Sequence, residues 1–433
     1  NSGLVHTWTD TTAVNGQTYF YAVTSYDHGS PEGGIAPSEC TKFVTLNLGG
    51  EVEDKGPNVV VVRPEAPANG FVDASLSTAT AINGGNADGA IGYEIINPLA
   101  IKDGNTYQVT FEDSIGEGPT LNMTRLTKSI TLVNVTNAGA PDTLLNKDPN
   151  VQNDGTLPIV DGFQLKLFNI DELSLNPDSS MWTNDSIYGF SFEPFRYSRT
   201  QGIPAPNDYI IEFGDVGLHT STEVSISTTR NLPAIPVNFK IINATTNEPV
   251  EFGFWELDAL SGEEGMLTAF TDRTRSDEVI FLEYDENDSL VFTWSLEFDS
   301  ATNDSLHRNP MAGDSLFIRT QKPFLSSDIY EFTTAGQRIE DEQVTLEDIR
   351  VVPNPYVVSN SWEPQNPYSN GRGPRELHFT HLPPQCTIKI FNVRGQLVNE
   401  LEHDVSTDIL DGTFVWDMQT KDLLDIAYGI YIY

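Results

Sequence analysis

Cysteine is nearly missing from this chain: Cys40 and Cys386 are its two in 433 residues. One distant pair builds neither a disulfide framework nor a Cys-based zinc site. Basic residues are scarce as well, with 24 Lys and Arg against 62 Asp and Glu, a formal net charge of −38 and a pI near 4.2. A phosphate backbone or an anionic lipid surface repels such a chain, and no basic cluster offsets the repulsion. Nucleic-acid binding is excluded on that ground. Long apolar runs are absent too. The longest, around residues 59–62, is far short of the roughly 20 residues that span a bilayer, so membrane insertion is not expected. The chain opens NSGLVHTWTD, without the basic and then apolar segments of a signal peptide. Either such a peptide has been removed or the sequence begins inside a longer protein.

Helical periodicity is the next thing lacking, for no segment gives a ten-residue amphipathic stripe. What fills the chain is Gly (33), Pro (26), Ser, Thr and Asn, with apolar residues at 38% and charged residues at 20%. Those are turn and strand-edge residues, and the length suits two to four domains. The expectation is an all-β protein of several immunoglobulin-like or jelly-roll-like sandwiches in tandem. Strand-like segments recur at residues 107–111, 129–135, 163–168, 209–213, 237–242, 278–284, 290–298 and 315–320, with Asn, Gly, Asp and Pro between them. The expected boundaries are a partial domain at 1–48, a linker at 49–64, sandwiches at 65–200 and 201–335, an acidic linker at 336–350 and a terminal domain at 351–433. The division near 200 rests on the polar, Pro-containing run SRTQGIPAPN.

The segment VNGQTYFYAVTSYDHG carries Tyr19, Tyr21 and Val23 at alternate positions. It resembles the penultimate strand of a fibronectin type III domain, in which a Tyr-x-Tyr-x-Val pattern packs across the sandwich. Fewer than 50 residues are available where about 100 make such a sandwich, so the domain is expected to be partial. The terminal segment opens Pro353-Asn354-Pro355 and continues through the hairpin Ile388-Lys389-Ile390-Phe391-Asn392-Val393-Arg394-Gly395. Trp416 then precedes an acidic residue, and Gly429-Ile430-Tyr431-Ile432-Tyr433 closes the chain. This ordered set resembles the immunoglobulin-like C-terminal sorting domain of proteins secreted by the type IX system of Bacteroidetes and related phyla. The resemblance implies a secreted, extracellular or cell-surface protein. Such domains usually run on through a further strand and a short basic tail, so this one is read as incomplete. The middle of the chain resembles uncharacterised β-rich segments of large secreted proteins from the same bacteria, a likeness that implies no activity.

Catalytic motifs are missing: there is no phosphate loop, no Gly-x-Ser-x-Gly elbow and no His-Glu-x-x-His. His378 and His381 are three apart, which on a strand puts them on opposite faces and denies them a shared metal. No catalytic residue is therefore assigned, and the chain is read as a non-enzyme. No cofactor is expected, with calcium possible, because Ca²⁺ needs only the clustered hard oxygens that acidic loops supply. Two clusters qualify, Asp148, Asn150, Asn153 and Asp154, and Asp285, Glu286 and Asp288. A polar turn and a hairpin tip are the plainer readings of the two.

The triplet Asp-Ser/Thr followed by Thr, Ala, Ile or Leu occurs eight times and resembles the O-glycosylation acceptor of Bacteroidetes secreted proteins. It singles out Thr11, Ser114, Thr143, Ser186, Ser289, Ser300, Ser305 and Ser315. The same triplet also ends a turn and starts a strand, which accounts for much of its recurrence. Trp362 and Tyr368, in the polar loop 359–374, are candidates for stacking on sugars, against the plainer role of clamping their own loop. Together these features point to a non-catalytic structural protein, a subunit of a surface layer, fibre or adhesin. Self-association, other surface proteins and surface glycans are its expected partners. A sandwich lacking strands offers a pairing edge that a neighbouring subunit completes. The alternatives are an accessory region of a larger secreted hydrolase, or a calcium- or glycan-binding adhesion module.

Overall fold

Alternation of apolar and polar residues builds most of the strands. In Tyr209–Phe213, Tyr209, Ile211 and Phe213 are buried while Ile210 and Glu212 turn outward, and Phe239–Asn243 repeats the pattern. A computed structural model describes the chain apart from residues 1–7, 31, 48–50, 119–121, 154, 258–261, 270–275, 286, 300–305, 341–342, 361–362, 364–365, 367, 372 and 406–408. The protein is all-β. Its helical segments are single 3₁₀ turns such as Pro98–Ala100 and Leu346–Asp348. No helix among the described residues is long and apolar enough to cross a membrane. The chain forms two units, Ser75–Ala335 and a second one made of Asn1–Ala74 with Gly336–Tyr433.

Ser75–Ala335 holds two β-sandwiches. In the first, Asp142–Asp148, Met123–Asn134, Thr106–Glu117 and Ile329–Ala335 lie side by side, with Ser75–Leu76 and Thr80–Ala81 pairing beyond. The opposing sheet is Ile159–Val160, Phe163–Phe168 and Ala90–Ile95. The Tyr107 ring joins the layers, 5.3 Å from Phe163 edge to face and 5.3 Å from Phe332 in a stack. In the second sandwich, a sheet ordered Met181–Trp182, Ser315–Ile318, Tyr209–Phe213, Phe239–Asn243 and Glu248–Pro249 faces one ordered Phe190–Pro194, Leu290–Phe298, Glu278–Tyr284 and Glu251–Trp255. Phe192, Tyr209, Phe239, Phe252, Phe281 and Trp294 fill the space between them. Each such fully buried aromatic contributes roughly 1.5–3 kcal/mol. Val279 to Leu282 are buried without alternation, because a second cluster of Phe195, Ile226, Leu232, Trp255 and Ile280 covers the outer face of that sheet.

Strand pairing crosses the division expected between residues 200 and 201. Phe190–Pro194 pairs with Leu290–Phe298, Met181–Trp182 with Ser315–Ile318, and Thr106–Glu117 with Ile329–Ala335. The chain leaves the first sandwich, completes the second, and returns to close the first. Local periodicity locates strands but does not say which distant strand is the partner.

The other unit also departs from the expected boundaries. Residues 49–64, read as a linker, contain two strands. Val59–Val62 pairs with Tyr19–Ala22, and Val52–Lys55 pairs with Val44–Leu46. The acidic stretch 336–350 likewise holds the strand Arg338–Ile339, paired with Phe71–Val72, and the turn Leu346–Asp348. The terminal sandwich has two three-stranded sheets. Arg350–Val352, Leu377–Thr380 and Phe414–Trp416 form one, and Leu397–Asp404, Gln385–Asn392 and Tyr431–Ile432 the other. Phe379, Leu382, Ile388, Ile390, Trp416 and Met418 form its core. Ala66, Ala68 and Asn69 are buried against it. Ala68 N donates to Ile409 O, Asn69 N to Leu382 O, and Gly412 N to Ala66 O. A side chain at Gly412 would meet Pro67 O at 2.2 Å, so glycine is what lets these backbones approach.

Candidate functional site

The terminal sandwich is open along one side. A groove of about 430 Å³ runs between its sheets, lined by Val351, Tyr356, Leu377, Phe379, Ile390 and Trp416 and flanked by residues 426–433. Phe379 meets Tyr433 edge to face at 5.4 Å. The strand Tyr431–Ile432 pairs with Phe391 and Asn392 on one side, and no described residue pairs with its other side. Its neighbourhood is apolar and bare, with Tyr428 99% and Ile430 75% exposed. Within residues 426–433 there is no charged side chain.

The ionisable groups lining the groove are Arg375 and tyrosines. Burial, together with the Glu363 carboxylate to which its hydroxyl donates, pushes Tyr356 up to about 12, so it stays a neutral donor near neutral pH. Arg375 Nε is buried and finds no hydrogen-bond acceptor among the described residues. An apolar trough beside a free backbone edge can take an extended chain, whose apolar side chains fill the trough while its main chain pairs with the edge.

A second, polar cleft of about 740 Å³ lies in the Ser75–Ala335 unit, and three of the Asp-Ser triplets contribute to it. Its lining includes Thr183, Asn184, Asp185, Ser186, His307 and Asp314. A bridge between Ile187 and Arg308 brings the segments together. Arg308 grips Asp314 with two hydrogen bonds, at 2.7 and 3.2 Å, and holds its carboxyl below the usual range. Asp314 is thereby committed to structure. Ser186 is exposed, and its hydroxyl donates to Asn184 Oδ1 at 2.6 Å.

The other candidates scatter. Thr11, Thr143 and Ser289 are exposed, whereas Ser114 and Ser315 are half-buried within sheets, with Ser315 N donating to Thr183 Oγ1. Ser300 and Ser305 lie outside the described residues. Leu290–Phe298 and Ser315–Ile318 begin at their triplets, as turn-to-strand punctuation requires. Of the first calcium cluster, Asp148 Oδ1 already accepts Asn150 N and Nδ2, and Asn153 Oδ1 accepts Asn169 N. Asp154 lies outside the described residues. Asp285 Oδ1 accepts Asn287 N and Ser289 N at the tip joining Glu278–Tyr284 to Leu290–Phe298, with Asp288 at a φ of 60°. Glu286 lies outside the described residues. No three His, Cys, Asp or Glu side chains converge as a metal site among the described residues. Tyr368 is 66% exposed beside a cleft of about 400 Å³ that also includes Glu376, Asp417 and Asp425. Trp362 lies outside the described residues.

Sequence reasoning reached the terminal strands but not the groove or Arg375. The signal available was the uncharged run Ile-Ala-Tyr-Gly-Ile-Tyr-Ile-Tyr at residues 426–433 in a chain with 62 acidic residues. No family model matches the chain, and neither do curated proteins or solved structures.

Proposed function

We propose that this chain is a non-catalytic structural protein of the cell exterior, a subunit of a surface layer, fibre or adhesin. On this reading it is secreted, its terminal sandwich is of the type IX sorting kind, and its surface contacts are made by β-strand addition. One observation carries the reading: the groove of the terminal sandwich, with the unpaired edge of Tyr431–Ile432 and the unmet Arg375 Nε beside it. Sheet edges of this kind are usually blunted by charge or covered, because they template pairing with another chain. The acidity of the remaining surface fits dispersal before assembly. Exposed Thr11, Thr143, Ser186 and Ser289 are proposed as glycan acceptors, where sugars would shield strand edges from proteases.

Electron microscopy of native extracellular material, with an intact-mass spectrum of the same protein, tests the reading. Ordered filaments or sheets whose subunit mass exceeds that of the sequence are expected. Dispersed particles that hydrolyse a polymer would overturn it.

A further inference from the structure

The outer face of the five-stranded sheet carries a line of apolar residues. Met181 lies opposite Phe317, Phe317 opposite Ile210, Ile210 opposite Ile242, and Ile242 opposite Pro249. Directly opposed residues share a face, so these five form one row across every strand of the sheet, roughly 19 Å long at the usual strand spacing. Met181 is 58% and Phe317 41% exposed, and Pro249 is exposed. An open sheet face is ordinarily polar, and five apolar residues in unbroken register depart from that alternation.

The flanks of the row are balanced in charge. On one side Glu212 pairs with Lys240 at 2.7 Å, and on the other the exposed Arg319 lies 3.8 Å from Asp88. With 62 acidic and 24 basic residues in the whole chain, most of the surface repels a second copy. This face does not. We infer that it is a self-association surface, on which two copies of this chain pack sheet against sheet about a two-fold axis, row over row. A two-fold axis is the arrangement in which one row meets its own complement. The face itself covers only about 400 Å² per copy, half of a standard interface, so the contact alone is weak. It gains strength where a second contact holds the copies together, as in a layer or fibre. The inference therefore rests on the structural reading above, and adds a contact separate from the groove.

Sedimentation of the full chain tests it, from about 1 to about 200 µM protein at about 0.05 and 0.5 M NaCl. Reversible dimerisation is expected, tightening at high salt because screening relieves the repulsion between acidic chains. Phe317→Glu should weaken it at least tenfold, with Leu99→Glu, exposed and outside both the row and the groove, leaving it unchanged. Met181→Glu, at the sheet margin, serves if Phe317→Glu alters the melting transition. Association that survives both row variants overturns the inference, as does a chain monomeric under every condition. Loss of association in the groove variant Ile430→Glu alone also overturns it, while leaving the structural reading intact.

Discussion

Asn69 and Thr345, 276 residues apart, hold each other by two hydrogen bonds: Asn69 Nδ2 donates to Thr345 O at 2.6 Å, and Thr345 N donates to Asn69 Oδ1 at 3.0 Å. The amide thus satisfies both backbone groups of the residue that caps the turn Leu346–Asp348. Asn69→Leu keeps the volume and strips away both partners. A loss of about 2–4 kcal/mol in the stability of this unit is expected, since a buried unpaired group costs roughly 1–3 kcal/mol. Denaturant unfolding followed by tryptophan fluorescence measures it, and a change under about 0.5 kcal/mol would show the pair to be incidental.

Lys322 is among the most completely buried side chains, and its ammonium sits 2.6 Å from Asp208 Oδ1, which also accepts Thr320 N at 2.9 Å. The two partners should respond unequally to removal. Asp208→Ala strands a charge in the interior, at an expected cost of about 3–5 kcal/mol. Lys322→Met leaves Asp208 partly exposed with its Thr320 bond, and should cost far less. A double variant more stable than Asp208→Ala alone completes the expected pattern. Equal losses from the two single variants would contradict it.

Burial raises the pKa of Asp328 and of Glu283, the latter held by Tyr209 and Asn207. A carboxyl raised in the folded state adds stability that is present below its unfolded value and lost as pH rises through the folded one. Asp314, lowered by Arg308, does the reverse and loses its contribution as pH falls. As pH rises above the ordinary carboxyl range, Glu283→Gln and Asp328→Asn should therefore flatten the fall in stability. Melting curves at stepped pH decide this, and an unchanged slope in both variants contradicts the assignment.

Ala335 lies opposite Ser75 and Thr334 opposite Leu76, so the two ends of the Ser75–Ala335 unit are paired with each other. Residues 75–335 expressed alone should fold cooperatively. Residues 351–433 alone should be less stable than the same segment expressed with 65–74 and 336–350 in one chain. Circular dichroism and limited proteolysis of the three fragments check both statements. Cleavage within the isolated 75–335 piece at low protease would refute the first.

The sequence made some strands plain and hid their partners. Residues 163–168, 209–213, 278–284 and 290–298 agree with the structure at both ends, because apolar positions recur regularly and Gly, Asn or Asp bound them. Ile329–Ala335 looks like any other strand, and nothing local ties it to Thr106–Glu117. Ala66, Ala68 and Asn69 lie in a stretch without apolar periodicity, yet they are buried, because small residues there let backbone meet backbone. The apolar row was present as Met181, Phe317, Ile210, Ile242 and Pro249, but it exists only once the register is known. The groove at the terminal sandwich escaped for a related reason, since Arg375 and Tyr356 approach it from a loop without periodicity.

The pairing of Phe71 with Ile339 and of Val72 with Arg338 has a mechanical consequence. A pull on upstream and downstream chain reaches this short ladder from one end, and the bonds from residues 66–70 to 340, 345, 382, 409 and 412 share the load. While they hold, no tension enters residues 75–335. When they give way, the load reaches the inner unit, whose unfolding would release a tether of about 900 Å at ~3.4 Å per residue. Stretched in a force experiment, the chain should therefore open this outer ladder first and residues 75–335 only afterwards.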